Sequence, residues 1–149
     1  MQEKRRAEAT RWFQQALHDL KAARWNIEGG FHSTACFLAQ QGAEKALKSL
    51  MYSQGARKTA LMTHSLVEMT QEAQKSKPGF PSILNQAREL DLHYIPSRYP
   101  NGLPSGYPHQ FYTQDVAERA LAAASDILNA IRTHYEELGE TGIIAGQQE

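Results

Sequence analysis

The sequence predicts an all-α protein: an antiparallel up-and-down bundle of four to five helices with a long Pro/Tyr-rich loop before the last. Three observations lead there. Apolar residues recur at spacings of three and four through most of the chain. Glycine and proline fall mainly between those stretches, as punctuation. No segment alternates apolar and polar residues with the period of two that a half-buried strand needs.

The organising element is Phe37–Tyr52, FLAQQGAEKALKSLMY. Ala35, Ala39, Gly42, Ala43, Ala46, Leu47 and Leu50 form one small apolar stripe, which lets a neighbouring helix approach closely. On the other side Phe37, Gln41, Lys45, Lys48 and Tyr52 make a second row edged by Glu44, and its aromatic ends indicate that this side too is partly covered. The first helix is expected over about Ala7–Ile27, with Trp12, Ala16, Leu20, Ala23 and Ile27 inward and Phe13 and Leu17 widening the stripe. Gly29-Gly30 closes it, and Ser33 or Thr34 is the expected cap of the central helix. So short a connection makes the two helices antiparallel neighbours.

Gly55 is the expected stop of the central helix. Thr63 then caps a short helix from His64 to about Ala73, with Leu66 and Met69 inward, and KSKPGFP ends it. A fourth helix starts at Ser82, carries Ile83, Leu84, Ala87, Leu90, Tyr94 and Ile95, and stops at Pro96. Between Pro96 and Tyr112, prolines at 96, 100, 104 and 108 forbid a regular helix or central strand. Three tyrosines and a phenylalanine make this segment too aromatic for a disordered linker. It reads as an ordered loop strapped over the bundle, its tyrosine rings packed into grooves. Thr113 caps a last helix, Gln114 to about Leu138, with Val116, Ala120, Ala124, Ile127, Ile131, Tyr135 and Leu138 inward. Residues 1–138 form one domain, and 139–149 a flexible tail.

Bulk properties narrow the function classes. The chain has 149 residues, the size of one domain. Its 16 basic and 16 acidic residues give no global field for nucleic acid or an anionic membrane. The single cysteine, Cys36, excludes an intrachain disulfide, the charged start lacks an apolar core, and no run approaches the ~20 apolar residues of a membrane span. A cytoplasmic protein is expected. No metal-ligand spacing, glycine-rich phosphate loop or nucleophile–base pair stands out, so no catalytic residue, metal or cofactor is assigned.

Several fragments in order resemble the HEPN family (higher eukaryote and prokaryote nucleotide-binding domain). They are ALHDLKAA (16–23), FLAQQGAEKALK (37–48), THSL (63–66) and LDLHYIPSRYPN (90–101), followed by the alanine-rich last helix. The resemblance is strongest to small bacterial and archaeal members and to the sacsin-type branch. It implies a helical bundle, a homodimer, a nucleotide ligand and a nucleotidyltransferase partner. The family often carries an acid after R-Y-P; here that position is Asn101. Other members are metal-independent ribonuclease toxins of toxin–antitoxin pairs, marked by Arg and His spaced R-x(4–6)-H at the start of a late helix. Arg11/His18, Arg57/His64 and Arg88/His93 have that spacing, but none opens the last helix, and Arg98 and His109 are too far apart. A purely structural dimerisation domain is the third reading, with the alanine-rich stripe of the last helix or the long first helix as the dimer face.

The residues that would hold a nucleotide are Gln41, Glu44, Lys45, Lys48, His64, Arg98 and Tyr99. Under that reading the lysines meet phosphate, Gln41 and Glu44 bond a base or sugar, Arg98 offers a planar fork and Tyr99 a stacking face. The plain alternative makes the first four a solvated or dimer-facing stripe worth ~0.2–0.5 kcal/mol per ion pair. It has Arg98 tie the loop to Asp19 or Glu44, and makes His64 a capping or loop-packing residue.

Overall fold

Two long helices set the frame. The computed structural model describes residues 1–58 and 60–145; there α1 spans Glu3–Glu28 and α2 spans His32–Ser53. Gly30 turns the corner between them at φ 83°, and the Phe31 amide donates back to the Asn26 carbonyl at 2.8 Å. A side chain on Cβ would strain that left-handed conformation, so glycine is required there. Ser33 and Thr34 do not cap α2. They lie inside its first turn behind Phe31, because the glycine turn feeds the chain directly into the helix.

The small stripe of α2 does what its residue sizes dictate. Ala35, Ala39, Gly42, Ala43, Ala46, Leu47 and Leu50 are all buried. At Gly42 a Cβ would run into Leu20 Cδ1 and stand 3.3 Å from the Ala16 carbonyl oxygen, so the missing side chain gives α1 room to pack closely there. On α1 the buried line is Ala9, Phe13, Ala16, Ala23 and Ile27. Trp12, Leu17 and Leu20 are only half-buried, so the inward face is centred on Phe13 rather than Trp12.

α3 spans Leu66–Ser76 and is capped by Ser65, whose Oγ accepts from the Glu68 amide. Thr63, the expected cap, bonds the Ser65 amide and Glu68 instead. His64 lies back along α2, meeting Glu44, and Met69 lines a groove with Met51 further on. α3 thus runs in the direction of α2, a local exception to the up-and-down order. α4 is Leu84–Asp91, shorter than its apolar pattern suggests. The Asp91 carboxylate accepts from the Leu66 and Val67 amides and from Ser65 Oγ, capping α3 from another helix. Pro96 disfavours helical backbone just before it, and residues 92–98 are turns.

The Pro-rich segment contains a 3₁₀ turn, Pro100–Gly102, and a single helical turn, α5, at Pro108–Phe111. Gly102 packs so tightly on Pro96 that a Cβ would fall 3.0 Å from the Pro96 Cα. Of its tyrosines only Tyr112 is buried; Tyr99 and Tyr107 are half-exposed, correcting the picture of rings filling grooves.

Thr113 caps α6, Gln114–Glu137, its Oγ1 accepting from the Val116 amide. α6 is amphipathic with Ala117, Ala120, Ala124, Ile127, Ile131 and Tyr135 buried; Val116 is half-buried and Leu138 exposed. Ala117, Ala120, Ala123 and Ala124 are buried in the core, while Ala122 is exposed. Ser49 Oγ donates to the Ala9 carbonyl at 2.6 Å, leaving the Tyr135 hydroxyl to donate to Ser49 at 2.8 Å. Three helices meet at that one serine.

Beyond Gly139 the structure shows order where a frayed tail is expected from the sequence. α7, Thr141–Ile144, buries Ile143 fully, and Gln14 Nε2 donates to the Ile143 and Ala145 carbonyls. Arg6 grips both carboxylate oxygens of Glu140 at 2.7 and 2.9 Å. Residues 146–149 of the expected tail lie outside the described residues. No helix among the described residues is long and apolar enough to cross a membrane. Cys36 is buried, and burial first, then Glu89, pushes its thiol up to about 12.

Two buried histidines give the fold a pH dependence. His134 accepts from Lys77 Nζ at 2.9 Å through Nδ1, and burial, then Lys77, lowers its pKa below 6.5. His93 faces Tyr112 and is lowered first by burial. The folded state resists their protonation, whereas the unfolded chain takes up protons below pH 6.5. Their contribution is therefore complete above that value and is lost as pH falls below it. The melting temperature is expected to drop between about pH 7 and about pH 5, read by calorimetry; a flat profile would contradict it.

Candidate functional site

The polar side of α2 carries a continuous row of paired groups. Lys45 Nζ donates to Asp19 Oδ2 at 2.6 Å, and Gln15 donates to the other oxygen of that carboxylate at 2.8 Å. The preceding residue, Glu44, is 4% exposed. Its Oε1 lies 3.0 Å from His64 Nδ1, which donates because a carboxylate only accepts, and its Oε2 lies 3.7 Å from Lys48 Nζ. Lys48 is 7% exposed and sits 5.6 Å from the centre of the Trp12 ring, which stacks on Tyr52. Gln41 is half-buried and donates to the buried Gln40 at 2.7 Å.

This row is not the solvated stripe of the plain reading. Glu44 and Lys48 are buried together, where a charge is tolerated only with a partner. Both lysines expected to meet phosphate are engaged within the protein, Lys45 by Asp19 and Lys48 by Glu44 and Trp12.

Arg98 is placed differently. Its guanidinium carbon is 4.5 Å from the centre of the Phe37 ring, 4.8 Å from Tyr94 and 4.9 Å from Tyr99. Its Nε donates to the Tyr94 carbonyl at 2.9 Å, one helical turn back. The aromatic faces attract the cation through their negative quadrupole, by about 0.5–1 kcal/mol each at exposed sites. Neither Asp19 nor Glu44 takes Arg98 as a partner; they hold Lys45 and His64 instead. Among the described residues no carboxylate pairs with Arg98.

The loop therefore meets α2 at Phe37, not beside the lysines. Lys45 lies eight residues further, about 12 Å along a helix axis. What joins the two places is Tyr94. Its ring carries Arg98 and stacks on His64, centroids 5.3 Å apart and planes at 21°. The sequence places Tyr94 on the inner stripe of α4 and does not reveal this role; its spacing of four from Arg98 is the available signal.

The histidines of the three Arg/His spacings are scattered. His18 is exposed on α1, His64 stacks on Tyr94, and His93 is buried against Tyr112 at 3.0 Å. Among the described residues no group of three or more His, Cys, Asp and Glu side chains is placed to hold a metal.

A helical bundle with a cation–aromatic row on its central helix is the class the geometry defines. The HEPN domain model matches residues 9–134, and the chain belongs to that family. It is similar to TT1696 from Thermus thermophilus, with 33% identity over 85% of this chain and 97% of that one, at a TM-score of 0.77. ST0689, an archaeal HEPN homologue, is 36% identical over 85% and 97% of the two chains, with a TM-score of 0.70. A HEPN domain protein from Thermotoga maritima is 30% identical over 85% and 98%, with a TM-score of 0.65. No curated protein matches the sequence.

Proposed function

We propose that this HEPN-type module binds a nucleotide at the Arg98 loop, works as a homodimer and acts with a nucleotidyltransferase partner. One observation carries the ligand half: Arg98 is oriented by three rings and one hydrogen bond through Nε, with no carboxylate among the described residues paired to it. Its terminal nitrogens offer a fork for phosphate, and half-exposed Tyr99 a face for a base. His64 is the adjoining polar group, held by Glu44, while Gln41, Lys45 and Lys48 continue the row along α2.

Thermal denaturation with ATP and GTP tests this. A ligand at about tenfold over its Kd stabilises the folded state by about 1.4 kcal/mol, which for a chain of this size raises the melting point by roughly 3–6 °C. Arg98→Gln is expected to abolish that shift, read against the variant's own melting point without nucleotide, which loss of the ring contacts lowers. No shift with any nucleotide, or an equal shift in the variant, would overturn the assignment. Light scattering reads the dimer half as a particle of two chains.

A further inference from the structure

A second feature lies on another face. α1 and α6 flank a groove of about 1030 Å³, with Ile144 of α7 in its lining. Its apolar walls include Leu17 and Leu20 of α1, both half-buried, and the buried Leu121 of α6. Its charges are unbalanced: Arg11, Lys21, Arg24 and Arg132 against Glu118 and Glu136, in a chain whose formal net charge is zero.

The internal pairing leaves this excess open. Glu118 is taken by Arg24 through both carboxylate oxygens, at 2.9 and 3.0 Å. Arg11 has only the exposed Glu8 on its own helix, a contact of little worth. Lys21 and Arg132 enter no ion pair among the described residues, and Arg132 Nε is shut off from solvent without a hydrogen-bond partner.

The dimensions suit a helix. The lining runs from Arg11 to Arg24 on α1 and from Glu118 to Arg132 and Glu136 on α6, or about 20–27 Å at 1.5 Å per residue. A second copy laid groove to groove would set cations against cations. A bare polyanion would leave the leucines uncovered. We propose that the α1–α6 groove receives an acidic amphipathic helix of a second protein, its apolar stripe on the leucines and its carboxylates on Lys21, Arg11 and Arg132. This is helix-in-groove recognition with charge setting orientation, and it is independent of the nucleotide reading.

The test uses the whole chain and a labelled amphipathic peptide of about 18 residues, leucines on one face and glutamates on its flanks, beside a counterpart carrying lysines instead. Fluorescence anisotropy is expected to show the glutamate peptide binding about tenfold or more tightly than the lysine peptide, and weakening as salt rises. Lys21→Glu alone, and with Arg11→Glu, is expected to weaken it about tenfold or more. Both positions are exposed, so circular dichroism should match the wild type. Equal affinity for the two peptides, no binding of the glutamate peptide at about 100 μM, or unchanged affinity in the variants would overturn the proposal. So would a dimer that Lys21→Glu splits, which would give the groove to a second copy.

Discussion

Glu44→Leu is expected to lower the stability of the fold by about 3–5 kcal/mol, because it strands a buried cation. Glu44 and Lys48 are 4% and 7% exposed. With the carboxylate gone, Lys48 keeps only the Trp12 ring, whose centre lies 5.6 Å away, and His64 loses the acceptor at 3.0 Å. The physics also predicts the remedy. In Glu44→Leu/Lys48→Met both charges are replaced by apolar groups of similar volume, and most of the loss is expected to return. Urea denaturation of the wild type, both single variants and the double variant closes the cycle. A single variant within about 1 kcal/mol of the wild type would mean that Lys48 simply swings to solvent.

Tyr135→Ala is expected to cost a similar amount, about 3–5 kcal/mol, for a different reason. The ring is fully buried and meets Phe13 edge-on, centroids 5.9 Å apart and planes at 87°. Alanine leaves a cavity where α1, α2 and α6 converge. Tyr135→Phe keeps the ring and loses only the hydroxyl that donates to Ser49, at about 1 kcal/mol. If the two variants were equally destabilised, the hydroxyl network rather than ring packing would hold the junction. Burial holds the hydroxyl's pKa up at about 12, so the bond persists across neutral pH.

The helices are legible in the sequence because their stripes are long and their ends punctuated. The central stripe from Ala35 to Leu50 is buried as read, and Thr113 caps the last helix where expected. What the sequence hides is what depends on distant partners. Nothing near Asp91 announces that its carboxylate closes the start of α3, so the apolar pattern of α4 runs a turn past its true end. Nothing near Ile143 announces that α1 offers it a seat. On the polar side of α2 the residue types are visible but their pairings are not. Lys45 and Lys48 look free for phosphate; Asp19 is 26 residues upstream of Lys45, and only the folded hairpin brings it to 2.6 Å.

The clasp between Arg6 and Glu140 has a practical corollary. It draws residues near the two limits of the described chain to one end of the bundle, while Arg98 rests over Phe37 toward the other. A tether attached at that shared end would leave the aromatic cage facing outward. The protein can thus be immobilised, or fused to a reporter, without crowding the surface whose ligand is sought.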